Sequence, residues 1–184
     1  MKKNYQIKRI VLSGMFIALG IVLPFLTGQI PQFGALLSPM HLPVMICGYV
    51  CGPICGLIVG FITPLLRSIL FIMPPLYPSA IAMAFELATY GFICGAIINK
   101  IFKNKYNYLN ILVTLIISII IGKMVFGLAT FILLAIKQSA YTFKMFITAA
   151  FINSWLGIVI QIVLIPIIVL SLSKGNLLLI KENN

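Results

Sequence analysis

Ionisable side chains that could carry chemistry are few in this sequence of 184 residues. It contains two acidic residues, Glu86 and Glu182, and one histidine, His41. Because Glu182 lies in the terminal sequence KENN, Glu86 is the only acid in the body of the chain. Reactions that need two carboxylates are therefore excluded, and so is a zinc site of the HExxH type. We expect a protein that is not an enzyme and that holds no metal or other cofactor.

The four cysteines offer a second candidate for metal chemistry. Cys47, Cys51 and Cys55 are spaced by four residues, as metal ligands on a helix could be, and Cys94 follows later. All of them lie in hydrophobic segments, where a free cysteine behaves as a small apolar residue. The sequence Cys51-Gly52-Pro53 also predicts a break in the helix that would carry the first two. We therefore interpret the cysteines as packing residues.

Two further charged residues, Arg67 and Lys123, accompany Glu86 inside apolar segments. Charges in such segments are costly and tend to be functional. Arg67 and Glu86 are each predicted about 9–10 Å from the same end of neighbouring spans, at 1.5 Å per residue. Helical spacing places each charge on a stripe with a glycine or another small residue. The candidate substrate-binding residues on these stripes are Arg67, Met83, Glu86, Tyr90, Lys123, Asn153, Trp155 and Gln161.

Two interpretations of these stripes stay open. One is a cavity that opens to the outside, in which Trp155 and Tyr90 stack on a ring-shaped ligand. The other is an Arg67–Glu86 ion pair with scattered hydrogen bonds between helices, and with Trp155 as an interfacial anchor. His41 is interpreted as a capping or interfacial residue rather than as a ligand. The uncharged segment Thr27–Pro39 is expected to close over bound substrate.

The composition indicates what these side chains are embedded in. Hydrophobic residues make up 62% and charged residues 8%, with a mean hydropathy of +1.18 and a net charge of +11. A soluble domain is about a quarter charged, so a cytosolic enzyme, a disordered protein and a nucleic-acid binder are all excluded. The sequence predicts an all-α membrane protein, with residues 1–184 forming a single bundle of six transmembrane helices in the lipid bilayer. The predicted spans are Ile10–Leu26, Leu36–Val50, Ile54–Met73, Ser79–Ile101, Leu109–Ile136 and Phe146–Leu172.

The distribution of basic residues predicts the orientation of these spans. With a cytoplasmic N-terminus, the inner segments carry nine basic residues and the outer segments carry two. Such an excess is typical of the cytoplasmic side, so both termini are predicted to be cytoplasmic in the cell membrane. The inner set is Lys2, Lys3, Lys8, Arg9, Lys100, Lys103, Lys105, Lys174 and Lys181, and the outer set is Lys137 and Lys144.

Small residues recur every four positions on several spans, which lets helix backbones approach closely. Most of these stripes are expected to pack the bundle itself, and the one formed by Gly14 and Ala18 is the candidate for docking a partner. Packing within the bundle is the alternative for this stripe as well.

Three segments resemble the substrate-binding S components of energy-coupling factor (ECF) vitamin transporters. They are Ser38–Gly60 (SPMHLPVMICGYVCGPICGLIVG), Thr89–Ile97 (TYGFICGAI) and Gly157–Pro166 (GIVIQIVLIP), and the size and basic ends match as well. The resemblance implies a six-helix protein that captures a micronutrient outside the cell and topples in the membrane to release it. It also implies docking on a transmembrane coupling protein driven by two ATPase subunits, through an Ala-x-x-x-Ala motif whose counterpart here is Gly14-x-x-x-Ala18.

The resemblance implies a site built mainly from spans 4–6 and the first outer loop. The chain has no Walker A motif, so ATP hydrolysis would belong to its partners. A stand-alone proton-coupled carrier that uses Glu86 as its relay is the alternative, and an intramembrane enzyme is a distant third. The substrate stays open between a carboxylate-bearing vitamin such as pantothenate or nicotinate, an amine- or hydroxyl-bearing one such as thiamine or pyridoxine, and a neutral ring such as riboflavin.

Overall fold

The fold comes from a computed structural model, which describes residues 2–27, 36–136, 142, 145, 147–148, 152–175 and 177–179. Within these residues the regular structure is entirely helical, in agreement with the predicted all-α class. Two short π-helical turns, Leu76–Ala80 and Ile97–Ile101, flank the fourth helix. A 3-10 turn, Leu23–Thr27, follows the first helix. The helices are α1 (Lys2–Val22), α2 (His41–Cys51), α3 (Pro53–Phe71), α4 (Ile81–Ala96), α5 (Tyr108–Ile136) and α6 (Trp155–Lys174).

Five segments are long and apolar enough to cross a membrane: α1, α3, α5, α6, and α4 together with its two flanking turns (Leu76–Ile101). The 11 residues of α2 reach only about 16 Å at 1.5 Å per residue, about half the thickness of the hydrocarbon core. Every α2 residue except Leu42 is buried. A helix that is apolar all round belongs inside a protein, and α2 contacts α1, α3, α4 and α6. The second predicted span is thus a central core helix, shorter than its predicted length.

The break predicted between the second and third spans is confirmed. The α2 helix ends at Cys51, and α3 begins at Pro53, where a missing backbone N–H costs nothing. Gly52 between them has a φ of 98°, a conformation that side chains with a Cβ seldom adopt. Because the chain reverses here within one residue, α2 and α3 lie side by side.

Glycines bring α2, α3 and α4 into backbone contact. A Cβ atom at Gly56 on α3 would lie 2.5 Å from the carbonyl oxygen of Gly91 on α4. One at Gly95 would lie 2.5 Å from the backbone nitrogen of Pro53, and one at Gly48 would also meet Gly91. No side chain fits in such gaps, so these small-residue stripes pack the bundle, as most of them were predicted to do.

We predict that Gly91→Ala lowers the stability of the protein, because the added methyl group collides with the Gly56 backbone. Overpacking of this kind costs about 1–3 kcal/mol. Gly14→Ala is the matched control, since a Cβ at Gly14 meets nothing within 4 Å. Thermal unfolding in detergent should show a lower melting temperature for Gly91→Ala only. Equal melting temperatures for the two variants would show that α3 and α4 do not pack this closely.

Candidate functional site

A buried polar cluster lies between α4 and α5, with Glu86 at its centre. Glu86 is 2% exposed, and its Oε1 atom lies 2.8 Å from Lys123 Nζ on α5. Tyr90 donates its hydroxyl hydrogen to the same oxygen over 2.7 Å. Because Tyr90 follows Glu86 by four residues, both side chains project from the same face of α4. The Lys123 ammonium group and the Tyr90 phenol therefore meet at one carboxylate oxygen of Glu86.

A glycine on α5 makes room for this cluster. A Cβ atom at Gly122 would collide with the ring of Tyr90. The Tyr90 ring therefore packs directly on the α5 backbone at Gly122, the residue that precedes Lys123 in the sequence. Tyr90 and Lys123 are 1% and 5% exposed, so the cluster is closed to bulk solvent.

His41 completes the cluster from the start of α2. Its Nε2 atom lies 3.8 Å from Glu86 Oε1, and its ring centroid lies 5.5 Å from that of Tyr90. The Nδ1 atom lies 3.1 Å from the Ser38 carbonyl oxygen. His41, predicted to be a capping or interfacial residue, is 3% exposed and faces Glu86 inside the bundle. The one sign of this role in the sequence was its position at the start of a span, on the same predicted side as Glu86.

The electrostatics of the cluster are balanced. The positive charge of Lys123 and the negative charge of Glu86 cancel at a separation of 2.8 Å. Taking two such charges out of water costs several kcal/mol per ion, and their attraction seldom returns more than that. A buried ion pair is thus weak evidence for a purely stabilising role and is compatible with a binding role.

Arg67 is not the partner of Glu86, which corrects the ion pair considered from the sequence. Its Nη1 atom donates to the Ile21 carbonyl oxygen over 2.7 Å, and its guanidinium lies 5.4 Å and 5.7 Å from the ring centroids of Phe25 and Phe71. The carbonyls of a last helical turn lack backbone donors and carry partial negative charge. Arg67 therefore caps α1, at a position outside the Glu86 cluster.

The other predicted site residues divide between the interior and the surface. Gln161 on α6 is 2% exposed, and Met83 is half-buried one turn before Glu86. Trp155 is 57% exposed, and Asn153 is exposed in the turn before α6. The predicted start of this span, Phe146, lies outside the described residues, and a turn at Asn153 and Ser154 precedes α6, which begins at Trp155. The stripe through Asn153, Gly157 and Gln161 is consequently broken at its first member.

The predicted lid, Thr27–Pro39, lies mostly outside the described residues. Its final part packs on α6, where a Cβ atom at Gly157 would lie 2.8 Å from the Leu37 carbonyl oxygen. The loop therefore returns across the start of α6 before α2 begins at His41.

The small-residue stripe on α1 lies on the outside of the bundle. Gly14 and Ala18 are exposed, and no atom lies within 4 Å of an ideal Cβ at Gly14. Large apolar neighbours on the same face, including Val11 and Met15, are 64% and 47% exposed. Gly14 and Ala18 therefore do not pack the described bundle, and their surface is open to lipid or to a partner.

Among the described residues, no group of three or more His, Cys, Asp or Glu side chains is placed to hold a metal ion. The four cysteines are free thiols, and Cys47, Cys51 and Cys94 are buried.

The family described as ECF transporter, substrate-specific component, matches residues 8–169, which is most of the chain. No curated protein and no solved structure matches. The matched range includes four helices entirely, most of α1 and α6, and all four members of the Glu86 cluster. This protein belongs to the family of substrate-specific components of ECF transporters.

Proposed function

We propose that this chain binds a small water-soluble vitamin or a related micronutrient outside the cell and delivers it inward with an ATP-driven coupling module. The module would consist of a transmembrane coupling protein and two ATPase subunits. The observation that carries the proposal is the buried cluster of Glu86, Lys123 and Tyr90 in a substrate-specific transporter component. A polar ligand loses its contacts with water when it binds. Buried charged groups that contribute little to stability can replace those contacts with hydrogen bonds and ion pairs.

The cluster offers three kinds of contact to such a ligand. Glu86 accepts hydrogen bonds, Lys123 donates and carries positive charge, and the Tyr90 ring supplies an apolar face. Met83 precedes Glu86 by three residues on the same face of α4, and Gln161 adds a buried amide on α6. Arg67, Asn153 and Trp155 remain predicted contacts, without support from their positions.

The orientation of the chain is part of the same proposal. Nine basic residues on one predicted side against two on the other favour cytoplasmic termini in a multi-pass protein of the cell membrane. In this arrangement α2 would lie within the membrane, surrounded by protein rather than by lipid. The open Gly14/Ala18 face of α1 would be the docking surface for the coupling protein.

The proposal is tested by ligand binding to a variant in which the charge pair is replaced as a whole. We predict that Glu86→Gln combined with Lys123→Met keeps the fold and loses affinity. One charge-assisted hydrogen bond contributes about 1.5–3 kcal/mol, which corresponds to about 10- to 150-fold in the dissociation constant. Calorimetry of the purified protein with thiamine, pyridoxine, pantothenate, nicotinate and riboflavin measures the effect.

Ser118→Ala is the matched control, since it removes a buried polar group of α5 outside the cluster. Equal affinities for the wild type and the double variant would remove the cluster from the substrate site. Uptake by liposomes that contain this chain alone, driven by a pH gradient, would instead favour the proton-coupled carrier. That carrier needs a carboxylate that exchanges protons, whereas Glu86 is held against Lys123.

A further inference from the structure

One nitrogen of the Glu86 cluster is buried without a hydrogen-bond partner. His41 is 3% exposed, and its Nε2 atom has no hydrogen bond within the described part of the chain. The nearest carboxylate oxygen, Glu86 Oε1, is 3.8 Å away, beyond the 2.7–3.2 Å of a hydrogen bond to nitrogen. Buried polar atoms of native proteins are rarely left in this state. The position therefore points to a group that the described residues do not supply.

The other ring nitrogen determines what kind of group this is. His41 Nδ1 lies 3.1 Å from the Ser38 carbonyl oxygen, which can only accept a hydrogen bond. Nδ1 must therefore carry the hydrogen, and in a neutral imidazole Nε2 is then left with a lone pair. Glu86 Oε1 is an acceptor as well, so two acceptors face each other across 3.8 Å. A hydrogen-bond donor between them would satisfy the arrangement.

The charge balance of the cluster indicates that this donor is uncharged. Lys123 already neutralises Glu86 at 2.8 Å, and Tyr90 donates to the same oxygen at 2.7 Å. An additional cation would leave the buried cluster with a net positive charge, which is costly in a low-dielectric interior. An O–H or N–H group of a neutral moiety satisfies Nε2 without this cost.

We infer that His41 is a specificity-determining residue of the substrate site, and that the substrate places an uncharged hydroxyl or N–H group between His41 Nε2 and Glu86. This inference rests on the proposed function and adds to it the kind of group that the site selects. A substrate that lacks such a group would leave the buried His41 Nε2 unsatisfied. Discrimination based on an unpaired buried group is much stronger than discrimination based on size alone.

The first test needs no substrate, because His41 is the only histidine in the chain. Nitrogen-15 NMR of histidine-labelled protein in detergent should show one imidazole with a protonated Nδ1 and an unprotonated Nε2. A hydrogen on Nε2 would overturn the inference, since His41 would then be a donor toward Glu86 instead of an acceptor.

The second test measures binding of compounds that differ by one donor group. The pairs are pyridoxine with 4-deoxypyridoxine, and pantothenate with 4′-deoxypantothenate. The wild type should bind the donor-bearing member of a pair at least tenfold more tightly. In His41→Phe, which keeps an aromatic ring but has no acceptor, this preference should fall below twofold. His41→Gln, which retains an acceptor oxygen, should keep part of the preference and covers the case in which the phenylalanine variant does not fold.

The outcomes separate the inference from the function on which it rests. If the wild type binds a compound but His41→Phe keeps the full preference, the donor beside His41 is water and the inference is overturned while the proposed function stands. If the folded wild type binds none of the five vitamins named for the proposed function, both are overturned.

Discussion

Replacing Glu86 by glutamine should destabilise the protein strongly. The change leaves Lys123 buried at 5% exposure without its counter-ion, which lies 2.8 Å away in the native protein. Removing one member of a buried ion pair costs about 3–5 kcal/mol. The melting temperature of the detergent-solubilised protein should therefore fall markedly. Adding Lys123→Met should restore most of the loss, since the buried charge is then removed together with its partner.

The matched control for this rescue is Arg67→Met in the Glu86→Gln background. Arg67 bonds to the Ile21 carbonyl oxygen instead of to Glu86, so its removal should not restore stability. Rescue by Arg67→Met and not by Lys123→Met would show that Glu86 pairs with Arg67 and would contradict the arrangement described above. The comparison thus distinguishes the two cations by a single measurement.

Gly14→Trp should abolish substrate uptake while leaving substrate binding unchanged. A Cβ atom at Gly14 meets nothing within 4 Å, so the indole can be accommodated without disturbing the bundle. On a small-residue stripe it would hold a partner helix away from α1. Uptake by liposomes that contain the complete transporter, and calorimetry of the isolated chain with the vitamin it binds, measure the two properties separately.

Ile132→Trp is the control for Gly14→Trp. Ile132 is 51% exposed on α5, away from the stripe, and its replacement should leave both uptake and binding intact. Equal loss of binding and uptake in Gly14→Trp would mean that the α1 face supports the fold instead of a partner. Loss of uptake in both variants would mean that any added bulk on the outside of the bundle is harmful.

Local features of the architecture were predictable because they depend on neighbours in the chain. The all-α class follows from long apolar segments with few charges, and five of the six predicted spans correspond to helices long enough to cross a membrane. Cys51-Gly52-Pro53 predicted the break between α2 and α3 because the constraints of glycine and proline act within one or two residues. The four-residue spacing of Glu86 and Tyr90 likewise placed both on one face of α4.

Helix ends were less predictable where the apolar sequence continues beyond the end of the helix. A turn at Asn153 and Ser154 interrupts the predicted sixth span, and α6 begins at Trp155. A hydropathy pattern does not reveal a turn inside a continuously apolar segment. The predicted helical stripe through Asn153 is therefore broken there, and the side chains of Asn153 and Trp155 are exposed.

The sequence by itself determined which residues could form a polar site, because Glu86 is the only acid in the body of the chain and three charges lie in apolar segments. Only the tertiary structure decided which of them meet. Helical phase and depth place a side chain on its own helix but do not specify which face of which neighbour it meets. Close packing at Gly122 brings Tyr90 onto α5 beside Lys123, whereas Arg67 reaches the end of α1. Partner choice thus depends on contacts between residues distant in the chain, which a hydropathy pattern does not contain.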